Sequence, residues 1–79
     1  MDLAADLELD CRGLRCPLPI IKLGNAIGEV AVGGTVAVTA DDPATGPDTQ
    51  AWCRMRGHDY VGQDAADDGI PRYVVRRAR

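Results

Sequence analysis

The sequence has few aromatic residues. Its 79 residues include one tryptophan, two tyrosines and no phenylalanine. A chain of this length builds one small core of two layers, so we expect a functional site on its surface and not in a large cleft. No run of about eighteen apolar residues is present, and the acidic start lacks the basic flank and apolar block of a secretory signal. We therefore expect a cytoplasmic protein that does not associate with a membrane.

Basic residues are also scarce, with nine Lys and Arg against twelve Asp and Glu and a formal net charge of −3. Tight binding of nucleic acid without sequence preference depends on many cations that neutralise phosphates, so the charge argues against strong direct nucleic-acid binding. The arginines are concentrated near the end of the chain, at Arg72, Arg76, Arg77 and Arg79. A solvated strand end is the preferred interpretation of this group, and contact with an acidic partner or an RNA backbone is the alternative.

Cysteine and histidine lack the spacing of a metal site, because the three cysteines are scattered and there is one histidine. An odd number of cysteines in a cytoplasmic chain predicts reduced thiols and no disulfide framework. The sequence offers no pocket for a small-molecule cofactor, so we expect neither a metal nor a cofactor.

The hydrophobic pattern predicts an α/β two-layer sandwich in the order β-α-β-α-β-β. Strands are expected at about 6–11, 35–40, 58–64 and 73–77, and helices at about 17–30 and 46–56. Because a strand–helix–strand crossover is right-handed, both helices should cover one face of a mixed four-stranded sheet and leave the other face solvated. Ala51, Trp52 and Met55 should form the buried stripe of the second helix, while Thr45 and Asp48 resemble a capping box at its start.

The most informative residue is Cys16, which stands before Pro17 where the first helix is predicted to begin. Proline suits the first helical position, so Cys16 is predicted to be the N-cap, with its sulfur over the free N–H groups of the first turn. The helix dipole and Arg15 should then lower the pKa of this thiol. We expect Cys16 to be the catalytic residue. The residues that support its loop are Gly13, Leu14, Arg15, Pro17 and Pro19.

Other polar residues have two interpretations each. Cys11 alternates with apolar neighbours and is predicted to lie in the core, although it could approach Cys16 as a resolving thiol. Cys53 and His58 are expected to be packing residues. Candidate partner contacts, with solvated charge or loop shaping as the alternative, are Arg12, Lys22, Asp41, Asp42, Arg72 and Arg76.

Two stretches together resemble the TusA-like, or SirA-like, family of small sulfur carriers: residues 13–17 with Pro19, and residues 41–45 with Asp48. The other matching positions are Leu9, Asp10, Trp52, Cys53, His58, Gly69 and Tyr73. The resemblance implies a single sulfur-carrier domain over 1–79 with sulfurtransferase activity, in which Cys16 accepts sulfane sulfur as a persulfide and passes it on. It also implies a cysteine desulfurase or rhodanese-like donor and an acceptor protein, in tRNA thiolation, molybdenum-cofactor maturation or general sulfur metabolism.

Two other functions remain open at this point. One is a non-catalytic adaptor that binds a partner through the Cys16 loop. The other is a redox sensor that uses Cys11 and Cys16. Persulfidation by a donor protein would distinguish the carrier from both, because neither alternative needs a transferred sulfur.

Overall fold

The computed structural model describes residues 3–79 and contains four strands and two α-helices. The elements are β1 (Leu7–Asp10), α1 (Leu18–Ala26), β2 (Thr35–Thr39), α2 (Thr45–Arg56), β3 (Asp59–Ala65) and β4 (Pro71–Arg76). A 3₁₀ turn over Ile27–Glu29 follows α1 directly. None of the helices in residues 3–79 has the length and apolar character needed to cross a membrane.

The predicted fold class and element order are confirmed. The strands lie in the order β1-β2-β4-β3, with β1 parallel to β2 and the other two pairs antiparallel. Leu23 from α1 and Trp52 from α2 share one core with Val36, Val38 and Val75, which point to the same face of the sheet. Both helices therefore cover the same face.

The first helix is shorter than the predicted range of 17–30. It ends at Ala26, and after the 3₁₀ turn the chain is extended at Val30. Gly28, which has a low helix propensity, lies in that turn. The second helix ends as expected at Gly57, whose φ of 76° is the left-handed conformation that favours glycine.

The predicted buried stripe of α2 is wrong at Met55, which is 79% exposed. The helix instead packs Thr45, Thr49, Trp52 and Cys53 inwards, at the spacing of one helical face. Met55 falls outside that face, and Ala51 is half-buried. Ala51 and Met55 are therefore accessible at the surface and can line a depression there.

The capping box at Thr45 and Asp48 is not formed. Ala44 is the N-cap, and no side chain caps the helix. Thr45 lies one residue inside the helix, where its hydroxyl is buried and has no hydrogen-bond partner among the described residues. The Asp48 carboxylate makes no capping hydrogen bond and accepts a hydrogen bond from Cys16.

The sheet face opposite the helices is only partly solvated, and the expectation that Arg72 lies exposed there for a partner is wrong. Arg72 is 1% exposed, and the neighbouring Val74 is fully buried. The Arg72 guanidinium donates hydrogen bonds to the carboxylates of Glu8 and Asp64 and to the Leu3 carbonyl. Its buried position is compensated by these partners, as a buried charge requires.

Gly24 lies inside α1, where glycine lowers helix stability and no turn requires it. Gly24→Ala should therefore raise the free energy of unfolding by about 0.5–1 kcal/mol. A Cβ at this position would lie 3.7 Å from the Trp52 Nε1 atom, which is an ordinary contact. Urea unfolding of both proteins measures the difference. A loss of stability would mean that the contact between α1 and α2 is tighter than the structure indicates.

Candidate functional site

The Cys16 loop lies where two parallel strands end. Because β1 and β2 are parallel, their carboxyl ends lie at the same edge of the sheet. The loop that follows β1 and precedes α1 therefore runs beside the loop that follows β2 and precedes α2. This arrangement brings Cys16 close to the aspartates that come before and within the first turn of α2.

Two aspartates tie these loops together. The Cys16 N–H donates to Asp42 Oδ2 at 2.8 Å, and the Gly13 N–H donates to Asp41 Oδ1 at 3.1 Å. Asp42 also accepts the Ala44 N–H at 3.0 Å. The hydrogen bonds from Cys16 and Ala44 lower the pKa of Asp42. The prediction that these residues shape the loop before α2 is confirmed for Asp42, which accepts the Ala44 N–H. Both aspartates also hold the Cys16 loop.

The sulfur of Cys16 is exposed, but it does not cap α1 as predicted. Pro17 is the N-cap, the Cys16–Pro17 peptide bond is cis, and no side chain caps the helix. The Leu18 N–H donates to the Arg15 carbonyl and the Ile20 N–H to the Pro17 carbonyl. Pro17 and Pro19 have no N–H at all. The first turn thus has no donor left for the sulfur, and the prolines that marked the helix start are part of the reason.

The Cys16 sulfur donates instead to the Asp48 carboxylate, with 2.9 Å between Sγ and Oδ2. This hydrogen bond is the main cause that raises the pKa of Cys16, and partial desolvation and the Asp42 charge act in the same direction. The expectation of a lowered pKa is therefore wrong. The carboxylate beside the sulfur favours the protonated form of Cys16 over the thiolate.

A shallow depression of about 270 Å³ surrounds this hydrogen bond. Its lining is apolar apart from Cys16 and Asp48, and consists of Pro17, Ile20, Ala51, Trp52 and Met55. Sequence reasoning missed Asp48 as a site residue and assigned the α2 stripe to the core. The signal was present in the spacing, because positions 48, 51, 52 and 55 lie on one side of a helix.

Of the remaining loop residues, Leu14 packs against the core and Pro19 is buried, so both support the loop from inside. Gly13 has a φ of 78°, a conformation that other residues rarely adopt. Arg15 is exposed and contributes to the lowered pKa of Asp42. The positive charge of Arg15 was expected to act on the Cys16 sulfur, but it acts on the Asp42 carboxylate.

The candidate partner contacts are spread over the surface. Arg12 forms ion pairs with Asp10 and Asp68, and so joins the β1 end to the turn between β3 and β4. Lys22 is exposed on α1, and Arg76 is exposed at the end of β4. The structure does not bring Arg76 and the Cys16 loop to one place, because β4 runs antiparallel to β2 and Arg76 pairs with Thr35 at the start of that strand.

The other thiols and the histidine are packing residues, as predicted. Cys11 is fully buried and Cys53 is 2% exposed. Burial raises the pKa of both, that of Cys53 to about 11. The His58 ring stacks on Trp52 with 5.1 Å between centroids, and its Nδ1 accepts the Ala78 N–H.

Comparison with known proteins connects this geometry to a family. The model of the family described as sulfurtransferase TusA matches residues 7–77, from β1 through the end of β4. The chain belongs to the TusA family. The match covers the Cys16 loop, the loop with Asp41 and Asp42, and Asp48 in α2, so the resemblance inferred from the motifs is confirmed.

Individual relatives agree with this assignment. The sulfur carrier protein TusA of Pseudomonas entomophila (strain L48) is 38% identical over 76 residues, covering 96% of this chain and 94% of that protein. The crystal structure of a SirA-like protein from Desulfitobacterium hafniense superposes with a TM-score of 0.77 at 23% identity, covering 92% of this chain and 99% of that one. The second comparison supports the TusA fold.

Proposed function

We propose that this TusA-family protein is a sulfur relay in which Cys16 receives sulfane sulfur from a donor protein as a persulfide and delivers it to an acceptor protein. The observation that carries the proposal is the exposed Cys16 thiol, held in a hydrogen-bonded loop within a chain of the sulfur-carrier family. The proposed relay operates in the cytoplasm, where reducing conditions keep an exposed carrier thiol available to accept sulfur.

The reaction transfers one sulfur between thiols. Cys16 Sγ loses its proton and forms a bond to the terminal sulfur of the donor persulfide. The donor's S–S bond breaks with its electron pair going to the donor cysteine, which takes up a proton and becomes a thiol. Delivery repeats this step with an acceptor thiolate as the attacking group. No net oxidation occurs, so the carrier needs no oxidant or cofactor of its own.

The surroundings of Cys16 suit a carrier. Its backbone is fixed by the Asp42 carboxylate, while its sulfur stays open to a second protein. Leu18 and Ile21 on α1 are 48% and 50% exposed, and Met55 on α2 is exposed beside the sulfur. An exposed apolar surface next to a reactive group is typical of a site where another protein binds.

Incubation with a cysteine desulfurase and cysteine, or with a rhodanese and thiosulfate, should raise the intact mass of the protein by one sulfur atom. Cys16→Ser should show no increase, because the attacking sulfur is absent. Reduction with dithiothreitol should return the original mass, which is the behaviour of a persulfide and not of an irreversible oxide.

Cys53→Ser is the matched control, since it removes a buried thiol and leaves Cys16 in place. It should accept sulfur as the unmodified protein does. Failure of the unmodified protein to gain sulfur from either donor would contradict the relay. A loss of two hydrogens in place of the sulfur gain would favour the sensor built on Cys11 and Cys16.

A further inference from the structure

The contact between Cys16 and Asp48 is not accounted for by the sulfur-carrier role of Cys16 alone. An aspartate in the first turn of a helix is stabilised when its carboxylate lies near the free N–H groups, because the helix dipole favours negative charge there. Asp48 instead approaches the sulfur of a residue 32 positions away. A carboxylate at 2.9 Å from Sγ is an unfavourable neighbour for a thiolate, so it does not serve to ionise the resting cysteine.

The loaded carrier has a different requirement. The terminal sulfur of a persulfide is the atom that an acceptor must attack. A perthiol is a stronger acid than a thiol, and once ionised its terminal sulfur carries a negative charge that repels an incoming thiolate. A carrier that delivers sulfur therefore benefits from a group that keeps hydrogen on the terminal sulfur.

We propose that Asp48 is a second catalytic residue, which accepts a hydrogen bond from the terminal S–H of the loaded carrier and returns that hydrogen to Cys16 Sγ during delivery. This inference rests on the proposed function. The acceptor thiolate forms a bond to the terminal sulfur, and the Cys16 S–S bond breaks with its electron pair going to Sγ. Asp48 moves the proton from the terminal sulfur to Sγ, leaving a Cys16 thiol and an acceptor perthiolate.

The distances fit this role. An S–S bond is about 2.05 Å long. If it meets the Sγ–Oδ2 direction at a right angle, the terminal sulfur lies about 3.5 Å from Oδ2, within hydrogen-bond range for sulfur. Asp48 is half-buried beside the apolar side chains of the depression, which limits the competition of water for its oxygens.

The charged groups around the sulfur favour the same state. Asp48 faces it from α2 and Asp42 from the loop before α2, and both oppose a negative charge on Cys16. Arg15 comes from the Cys16 loop itself, and its charge acts on Asp42. Two carboxylates thus lie near the sulfur and disfavour a negative charge there, which agrees with the proposed role of Asp48.

The test compares the unmodified protein with Asp48→Asn, which keeps the shape of the side chain and removes its charge. Both are loaded with inorganic polysulfide, and cyanide is used as the sulfur acceptor so that no protein partner is involved. Cyanide takes the terminal sulfur as thiocyanate, and the hydrogen remains on Cys16 as a thiol. We expect thiocyanate formation at neutral pH to fall about tenfold or more in Asp48→Asn, as for loss of a group that transfers a proton.

A second measurement separates this role from a simple charge effect. Alkylation of the empty carrier by iodoacetamide should become faster in Asp48→Asn, because the carboxylate no longer holds the thiol hydrogen. Loss of a negative charge alone would favour both reactions, since cyanide is an anion. Opposite changes in the two rates are thus the expected result, and thiocyanate formation that is unchanged or faster overturns the proposal.

Glu29→Gln is the matched control, because it removes one negative charge from the exposed turn at the far end of α1. Both rates should remain those of the unmodified protein. Asp48→Glu keeps a carboxylate and should recover part of the lost delivery rate. Continued protection of Cys11 and Cys53 from iodoacetamide shows that a variant is folded. Since loading uses polysulfide, failure of a donor protein to load the carrier would contradict the proposed function without deciding the role of Asp48.

Discussion

Arg72→Met should lower the free energy of unfolding by about 3 kcal/mol, a large part of the 5–15 kcal/mol typical of a small domain. Methionine keeps the apolar stem of the side chain but leaves Glu8 and Asp64 without the guanidinium that pairs with them. The Asp64 side chain is 12% exposed and stays desolvated, whereas that of Glu8 is 48% exposed and recovers water. The expected loss is therefore at the lower end of the range for a broken buried ion pair. Urea unfolding measures it.

Arg76→Met is the control for this experiment. Arg76 lies on the same sheet face, four residues further along β4, but it is exposed. Its replacement should change the free energy of unfolding by less than about 0.5 kcal/mol, as for an ordinary surface substitution. Equal effects of the two variants would mean that the Arg72 ion pairs contribute no more than a surface charge.

The comparison of Arg72 with Arg76 also shows where prediction from the sequence fails. Both arginines lie on the same side of β4, and the alternation of the strand correctly separates them from the core residues Tyr73 and Val75. Burial of Arg72 depends on Glu8, which is 64 residues away in the chain and belongs to another strand. A period-two pattern reports which face a residue occupies. It does not report what covers that face.

The element order and fold class were predictable because they depend on local periodicity. Leu7 and Leu9 alternate with acids, and Leu23 recurs with its neighbours at helical spacing, so each segment carries its own burial pattern. Met55 is an instructive failure. Its spacing relative to Trp52 fits a helical face, but the sheet contacts the face that contains Cys53. The spacing of apolar residues fits either of two adjacent helical faces, so it does not determine which of them packs against the sheet.

The identity of the important cysteine was also predictable, but its chemical environment was not. The prolines around Cys16 do mark the start of a helix, and α1 begins at Leu18. The inference of an ionised sulfur depended on free N–H groups, which the carbonyls of Arg15 and Pro17 in fact occupy. The decisive neighbour is Asp48, and its approach depends on the parallel pairing of β1 and β2. Helical spacing could indicate that Asp48 lies on the same side of α2 as Trp52 and Met55, but not that this side faces Cys16.

This environment changes what the three thiols should do in the folded protein. We expect iodoacetamide to label Cys16 alone, at a rate about 10³-fold or more above those of Cys11 and Cys53. Cys16 is exposed, whereas Cys11 and Cys53 are 0% and 2% exposed. Burial also raises the pKa of both core thiols, so each needs local opening of the structure before it can react. An opening free energy of about 4 kcal/mol reduces the rate by about 10³-fold.

Labelling at neutral pH followed by peptide mass spectrometry gives the three rates separately, and the same reaction in urea is the reference in which all three thiols are exposed. The rate at Cys16 should increase as the pH rises, because its hydrogen bond to Asp48 raises its pKa and the thiolate is the reactive form. Rapid labelling of Cys11 in the folded state would show that the end of β1 opens readily. That result would restore Cys11 as a resolving thiol for Cys16, since a buried sulfur that opens on the timescale of labelling can also reach a neighbouring cysteine.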